Sequence, residues 1–359
     1  MANITIAIDV MGGDLGHTST LPAVIRFLKK YSKVRLNLVG NKSLIVNYLD
    51  QSKCSLDLLN RIDITHSSQV VLMDELPQSA MRNKKDSSMR VALDLLKSSA
   101  VDAVVSAGNT GALMATARYL LRTLPNIDKP AIAKILPTVT GGQVCILDLG
   151  ANLTVDANQL LQFAIMGTQL MKNNAKPYPA VGILNIGTEI MKGPAILKEL
   201  SGLLKKSDLN FYGNIEGNDV FASKVDVIVT DGFVGNVALK TIEGAIFMIK
   251  ELFKQEIKKN IINRFLILAV LPILLSLKKQ IDPDKYNGAV MLGLNGLVIK
   301  SHGGANDRGF FYAIEQAYQE VESSFLSRLK QYLTVNPQLF SAEDVNKSEM
   351  LEFKDLSML

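Results

Sequence analysis

Five times along this chain a short apolar segment runs into a turn of glycine and small polar residues, and then into a helical pattern. The turns read DVMGGD (9–14), SAGNTG (106–111), DLGAN (148–152), TDGFVGN (230–236) and SHGGAN (301–306). Units of this kind build a parallel sheet covered by helices. Their turns then lie at the carboxyl edge, where backbone N–H groups and helix N-termini converge. Glycine lets the backbone approach a ligand closely, and Asn, Ser and Thr add neutral donors. One such turn is commonplace; five predict a single cleft built for an anion.

The alternation covers most of the 359 residues. Strands are expected over 4–8, 34–39, 62–65, 103–106, 132–136, 144–149, 180–185, 211–213, 225–230, 289–293 and 297–300. Helices are expected over 21–31, 87–98 (capped by Ser87), 111–121, 158–171, 237–253 and 310–329. Segments 132–136 and 144–149 pair around the TGG turn at 140–142. The fold class is therefore α/β, a doubly wound parallel sheet with one antiparallel stretch. An aliphatic-rich 48% hydrophobic content suits a sheet buried on both faces. Residues 1–334 read as a single large catalytic domain, with 250–285 as a helical insertion in it. The tail 335–359 is polar, lacks a period and fits a disordered end.

Composition removes several function classes. Aromatics are 6% and Trp is absent, which argues against a base-stacking platform, and a net charge of +5 is too weak for a nucleic-acid protein. No GxGxxG follows a strand, and no GxxxxGK[ST], GxSxG, HExxH or His/Cys cluster occurs, so no cofactor and no metal are expected. Cys54 and Cys145 stand far apart, and Cys145 lies inside a strand as an inert core thiol. Met1 leads straight into a strand without a secretory signal, so a reducing cytoplasm fits.

One segment does not match a soluble core. Residues 265–275 carry no polar side chain, and Lys258, Lys259, Arg264, Lys278 and Lys279 bracket them. The run is too short to span a bilayer, which needs ~20 apolar residues, and Pro272 breaks it. From Lys250 to Lys285 there are eight Lys or Arg against four Asp or Glu. A shallow apolar tip meeting anionic headgroups through Phe265, Leu266, Leu268, Leu271 and Leu274 explains these features, with a buried core helix as the alternative.

The candidate site residues come from the turns. Gly12, Gly13 and Asp14, then Ser106, Asn109, Thr110 and Gly111, could cradle a phosphate, the second group at a strand-to-helix turn. Asn152, Asp231 and His302 join them from the other turns. Lys192 follows the NIGTE turn (185–189) and could neutralise a phosphate or an oxyanion. Asn236 is a neutral donor at the end of TDGFVGN. Each has a plainer reading: a helix cap for Asn236, an exposed lysine for Lys192, a hydrogen-bonded loop histidine for His302. His17 could simply cap a helix, and His66 is most simply structural. No credible protein nucleophile is present, so in a transferase phosphate itself would attack.

Taken in order, IAIDVMGGD, SSMRVAL, SAGNTGALMA, LDLGAN, QFAIMG, LNIGTE with Lys192-Gly193, TDGFVGNVALKTIEG, YNGAVMLGL and VIKSHGGAN resemble the bacterial phosphate acyltransferases of phospholipid synthesis, the PlsX family. The match runs from residue 4 to about residue 318. It departs from the family at His17, at Glu189-Ile-Met191 and at Gly217-Asn218. The resemblance implies a Rossmann-like three-layer α/β/α sandwich, related to isocitrate and isopropylmalate dehydrogenases and to phosphate acetyltransferases. It also implies a homodimer, association with the inner face of the cell membrane, and transfer of a fatty acyl group from acyl carrier protein to inorganic phosphate. The family's active lysine and asparagine fall on Lys192 and Asn236. Three other readings stay open: a phosphate acetyltransferase-like enzyme on soluble acyl-CoA, a dinucleotide-dependent dehydrogenase and a non-catalytic membrane scaffold.

Overall fold

The computed structural model describes residues 4–336 except 174, 190, 260–270 and 273–281. The strands are β1 Ile4–Asp9, β2 Val34–Gly40, β3 Ile62–His66, β4 Ala103–Ser106, β5 Ala131–Pro137, β6 Gln143–Leu147, β7 Ala180–Leu184, β8 Asn210–Ile215, β9 Val227–Val229, β10 Ala289–Leu292 and β11 Leu297–Lys300. They form one sheet in the order β3-β2-β1-β4-β11-β10-β5-β6-β9-β7-β8. All eleven expected strands are present.

Strand direction is where the sheet departs from expectation. β3, β2, β1, β4 and β11 run parallel, and so do β6, β9, β7 and β8. Between the two sets, β11–β10, β10–β5 and β5–β6 are antiparallel. The two parallel sets therefore point in opposite directions. The turns after β1, β4 and β11 leave one edge of the sheet, and those after β6, β7 and β9 leave the other. The expected common carboxyl edge for all five turns is thus replaced by two edges, because three antiparallel pairings in the centre reverse the chain's sense.

Alternate strand residues face opposite sides, and the two sides are filled differently. One carries an unbroken core from Ile6, Leu36 and Val105 through Ala133 and Cys145 to Val181 and Val229, under helices such as His17–Lys30, Ala157–Met171 and Asp307–Glu322. The other carries two separate clusters. One packs Val104 and Val298 beneath helices Ser88–Lys97 and Thr110–Leu121; the other packs Ile132, Ile146 and Ile228. A gap over β5 and β10 divides them.

Local chemistry accounts for the helix starts. Ser87 Oγ accepts from Arg90 N at 3.3 Å, as expected, and Asp156 and Gln159 form a reciprocal capping box. Gly16, not His17, occupies the cap position of the first helix; His17 is its first helical residue. His66 is structural: its Nδ1 accepts from Lys42 N. The helix expected over 310–329 is two helices, Asp307–Glu322 and Phe325–Val335. Ser324 lies between them with φ 54°, a left-handed bend that turns Phe325, Leu329 and Leu333 into the core. Helices Lys42–Gln51, Pro77–Asn83 and Ala195–Lys206 had no clear sequence signal.

Helix Gly232–Lys259 is long and largely uncovered. Phe247, Ile249, Leu252 and Phe253 are all exposed, and by length and composition alone it could cross a membrane. Phe265, Leu266, Leu268 and Leu274 lie outside the described residues, while Leu271 is described, helical and exposed.

Candidate active site

The gap over β5 and β10 is an open cleft of about 640 Å³. Its floor is Ile132 and Lys134 of β5 with Ala289 of β10. Turns from both sheet edges close over it: Asp14, Thr110, Gly111, His302 and Gly303 from one, and Gly150, Asn152 and Asn236 from the other. A crevice at the point where strand order reverses is where open α/β sheets hold ligands. The site thus forms from opposite edges rather than from one.

On the first side three turns interlock. Asp14 N donates to Gly303 O at 2.9 Å, and Ser106 Oγ donates to Asp9 Oδ2 at 2.6 Å while accepting from Gly108 N at 3.0 Å. Gly13 takes φ +91°, and a Cβ there would press on Gly303 O and Ala107. Gly12 is equally confined, because a Cβ would collide with the Asp9 carboxylate. Asp9 is fully buried, its Oδ1 has no partner, and burial raises its pKa against the hydrogen bonds it accepts.

The turn before helix Thr110–Leu121 divides its work. Asn109 is spent on structure: Oδ1 accepts from Ala112 N at 3.0 Å, and Nδ2 donates to Met73 O and Glu75 O at 2.8 and 3.0 Å. That leaves the first amides of the helix, at Thr110 and Gly111, on the cleft wall. A Cβ on Gly111 would come within 2.7 Å of Pro77 Cγ, so its small size is also demanded by packing.

On the second side Asp148 is the hub. It accepts from Ile132 N (2.8 Å), Ala151 N (3.1 Å), Asn152 N (2.7 Å) and Asn152 Nδ2 (3.0 Å). Burial raises its pKa even so. The Asn152 amide also donates to Pro130 O at 2.7 Å, so its nitrogen is structural. Asp231 Oδ1 accepts from Val234 N at 2.9 Å and caps the long helix. Asn236 is therefore not the cap; it sits one turn in, lining the cleft against Gly150.

Sequence reading missed the charges in the cleft: Lys134, Lys240, Glu243, Lys300 and Arg118. Glu243 lies 2.8 Å from Lys240 and 3.8 Å from Lys134. Burial works against its ionisation, but the two lysines and His302 prevail and lower its pKa. Burial lowers the pKa of Lys134 and of His302. His302 Nδ1 accepts from Gly304 N at 3.1 Å, which puts the neutral imidazole's proton on Nε2, and its backbone N donates to Asn287 Oδ1. A lysine inside or ending a β-strand at a glycine turn was the only signal for Lys134 and Lys300.

Lys192 is not among the residues lining this cleft. It leaves the same sheet edge as Asn236, is half exposed, and pairs with Glu189 at 2.9 Å. Gly187 lies directly under its stem, and Asn185 Nδ2 holds its carbonyl at 3.0 Å. Cys145 is buried, and burial pushes its thiol pKa far up, as an inert core group requires.

A model of the family described as "Fatty acid synthesis protein" matches residues 4–328. A phosphate acyltransferase of Neisseria meningitidis serogroup B is 49% identical over 330 residues, 91% of this chain and 93% of that protein. One from Chromobacterium violaceum is 50% identical over 327 residues, 91% and 94% of the two chains. Among solved structures, a phosphotransacetylase from Streptococcus pyogenes aligns with TM-score 0.58 at 17% identity, covering 89% of this chain and 94% of its own. A branched-chain phosphotransacylase from Enterococcus faecalis V583 aligns at 0.56 and 13% identity, covering 89% and 99%. These last two share the fold, a helix-covered α/β sandwich as expected.

Proposed function

The chain belongs to the fatty acid synthesis protein family and catalyses acyl transfer to phosphate, and we propose that its donor is a fatty acyl thioester of acyl carrier protein. The observation that carries this reading is the cleft itself. The cleft offers helix N-terminal amides at Thr110 and Gly111 with His302 and lysines nearby, and apolar side chains at Met114, Leu149 and Leu239. An anion and an acyl chain need these two environments side by side.

The nucleophile is phosphate dianion, already deprotonated, so no strong general base is required. A phosphate oxygen attacks the thioester carbonyl carbon; the tetrahedral oxyanion collapses, the C–S bond breaks, and the carrier leaves as thiolate. The products are acyl phosphate and free carrier protein. Catalysis is then positioning plus stabilisation of the oxyanion. Asn236 donates from the cleft wall, and Lys192, released from Glu189 as the donor docks, brings a positive charge to the same edge. Gly12, Gly13, Asp14, Ser106, Asn152 and Asp231 hold the turns that shape the anion site. No cofactor or metal enters this scheme.

The test is thiol release from acyl-carrier protein with and without inorganic phosphate, run in parallel with acyl-CoA. Phosphate-dependent release from the carrier-protein thioester is expected. Release from acyl-CoA alone would replace this reading with a soluble acetyltransferase-like one. We further assign residues 1–334 to one catalytic unit working as a homodimer at the membrane, with the apolar face of helix Gly232–Lys259 against a second copy and 265–275 on an anionic bilayer. Leu268→Glu with Leu271→Glu should release the protein from anionic vesicles and spare catalysis; loss of folding instead would make the run a core helix.

A further inference from the structure

Lys300 ends an apolar strand, yet it is only 7% exposed. Its Nζ donates to Ala107 O at 3.2 Å and to Ser301 O, so it ties together the turns after β4 and β11. An ammonium has three donors, and these two bonds leave one over. No carboxylate pairs with it among the described residues. It lines the cleft beside Thr110, Gly111 and His302. A buried charge with a spare donor and no carboxylate in direct contact, only the longer-range pull of Asp9 and Asp14, gains from an anion brought next to it, because the low local dielectric magnifies the attraction.

We propose that Lys300 is a phosphate-binding residue, giving its third N–H to an oxygen of the nucleophile while the other two hold the turns at the correct distance. This rests on the reading that phosphate enters this cleft. The electrostatics agree. Burial lowers the Lys300 pKa to about 8; Asp9 and Asp14 pull it up and Lys240 pushes it down. His302, Lys134 and Glu243 complete the charged surroundings. The charge is therefore present at neutral pH and lost as pH rises through about 8, whereas inorganic phosphate only becomes more fully dianionic over the same rise, so its own titration acts in the opposite direction.

The experiment is phosphate saturation at fixed acyl-carrier protein, from pH 6.5 to 9.5, for wild type, Lys300→Met, Lys300→Arg and Lys134→Met. In the wild type kcat/KM for phosphate should fall above about pH 8 while KM for the acyl donor stays level. Lys300→Met should raise the half-saturating phosphate about ten- to hundredfold at pH 7 and abolish the alkaline limb. Lys300→Arg, charged throughout, should flatten the limb without the full loss. Phosphate-dependent turnover with unchanged half-saturation in Lys300→Met overturns the proposal, as does a limb that only Lys134→Met removes. If Lys300→Met does not fold, the wild-type limb and its loss in Lys300→Arg decide. No phosphate-dependent turnover in the wild type would instead overturn the functional reading on which the proposal rests.

Discussion

The two halves of the sheet bring the same kind of glycine turn to the cleft, but they hold charge in opposite ways. On the β4–β11 side the charges are buried and incompletely partnered: Asp9 keeps one unpaired oxygen and Lys300 one spare donor. On the β6–β9 side Asp148 accepts four hydrogen bonds, and Lys192 rests on Glu189 at the surface. On the first side it is the Lys300 donor that is set to gain by binding an anion. The other side is already satisfied and contributes a charge only by letting go of a partner. Two lysines that look alike in sequence, Lys300 ending a strand and Lys192 following one, each at a glycine turn, are on the readings proposed above a preformed ligand and a latched one.

The comparison breaks most visibly at the residues of the second side. Asn236→Ala and Lys192→Ala should fold normally and lose about 10²–10³ in kcat, the usual cost of one donor to a reacting oxyanion. Near wild-type turnover in Lys192→Ala would reduce that side to a frame around Asn236. Next in size is the contrast between the buried carboxylates. Asp148→Ala strips the acceptor from three buried amides and should destabilise by about 3 kcal/mol or more in urea unfolding. Asp9→Asn, with its amide nitrogen in place of the unpartnered Oδ1, should stay within about 1 kcal/mol of wild type. Equal losses would erase the distinction drawn between the two sides.

A smaller effect tests packing against the second hub. A Cβ on Gly235 would overlap the Asp148 carbonyl, whereas one on Gly217 meets nothing within 4 Å. Gly235→Ala should lower stability by about 1–3 kcal/mol, and Gly217→Ala should leave the melting temperature nearly unchanged. The smallest effect sharpens the latch. Glu189→Gln removes an exposed partner of Lys192, so kcat/KM for the acyl donor should rise by less than about fivefold. A fall would mean that Glu189 positions the lysine rather than restraining it.

Strand–turn–helix alternation, the apolar strands and the helix cap at Ser87 are local properties, and they were legible because propensity and capping act within a few residues. So was Asn236 as a cleft residue, although its freedom from capping duty was not: that depends on Asp231 taking the role. Gly111 shows the limit in the other direction, since its small size answers to Pro77 from a different helix as well as to any anion.

By itself the sequence determined the class of fold, the inventory of glycine turns and the chemistry they favour. Beyond the β5–β6 hairpin signalled by the TGG turn, it carried no information on strand polarity across the centre, since an apolar strand reads the same whichever way its neighbour runs. Only the tertiary structure decided that β10 runs antiparallel to both β11 and β5, so that turns from opposite edges meet over one gap in the core. The same assembly decided which charges matter. Burial is set by what packs above a residue from distant parts of the chain, and it is burial that makes Lys300 a poised cation and leaves Lys192 half exposed on its carboxylate.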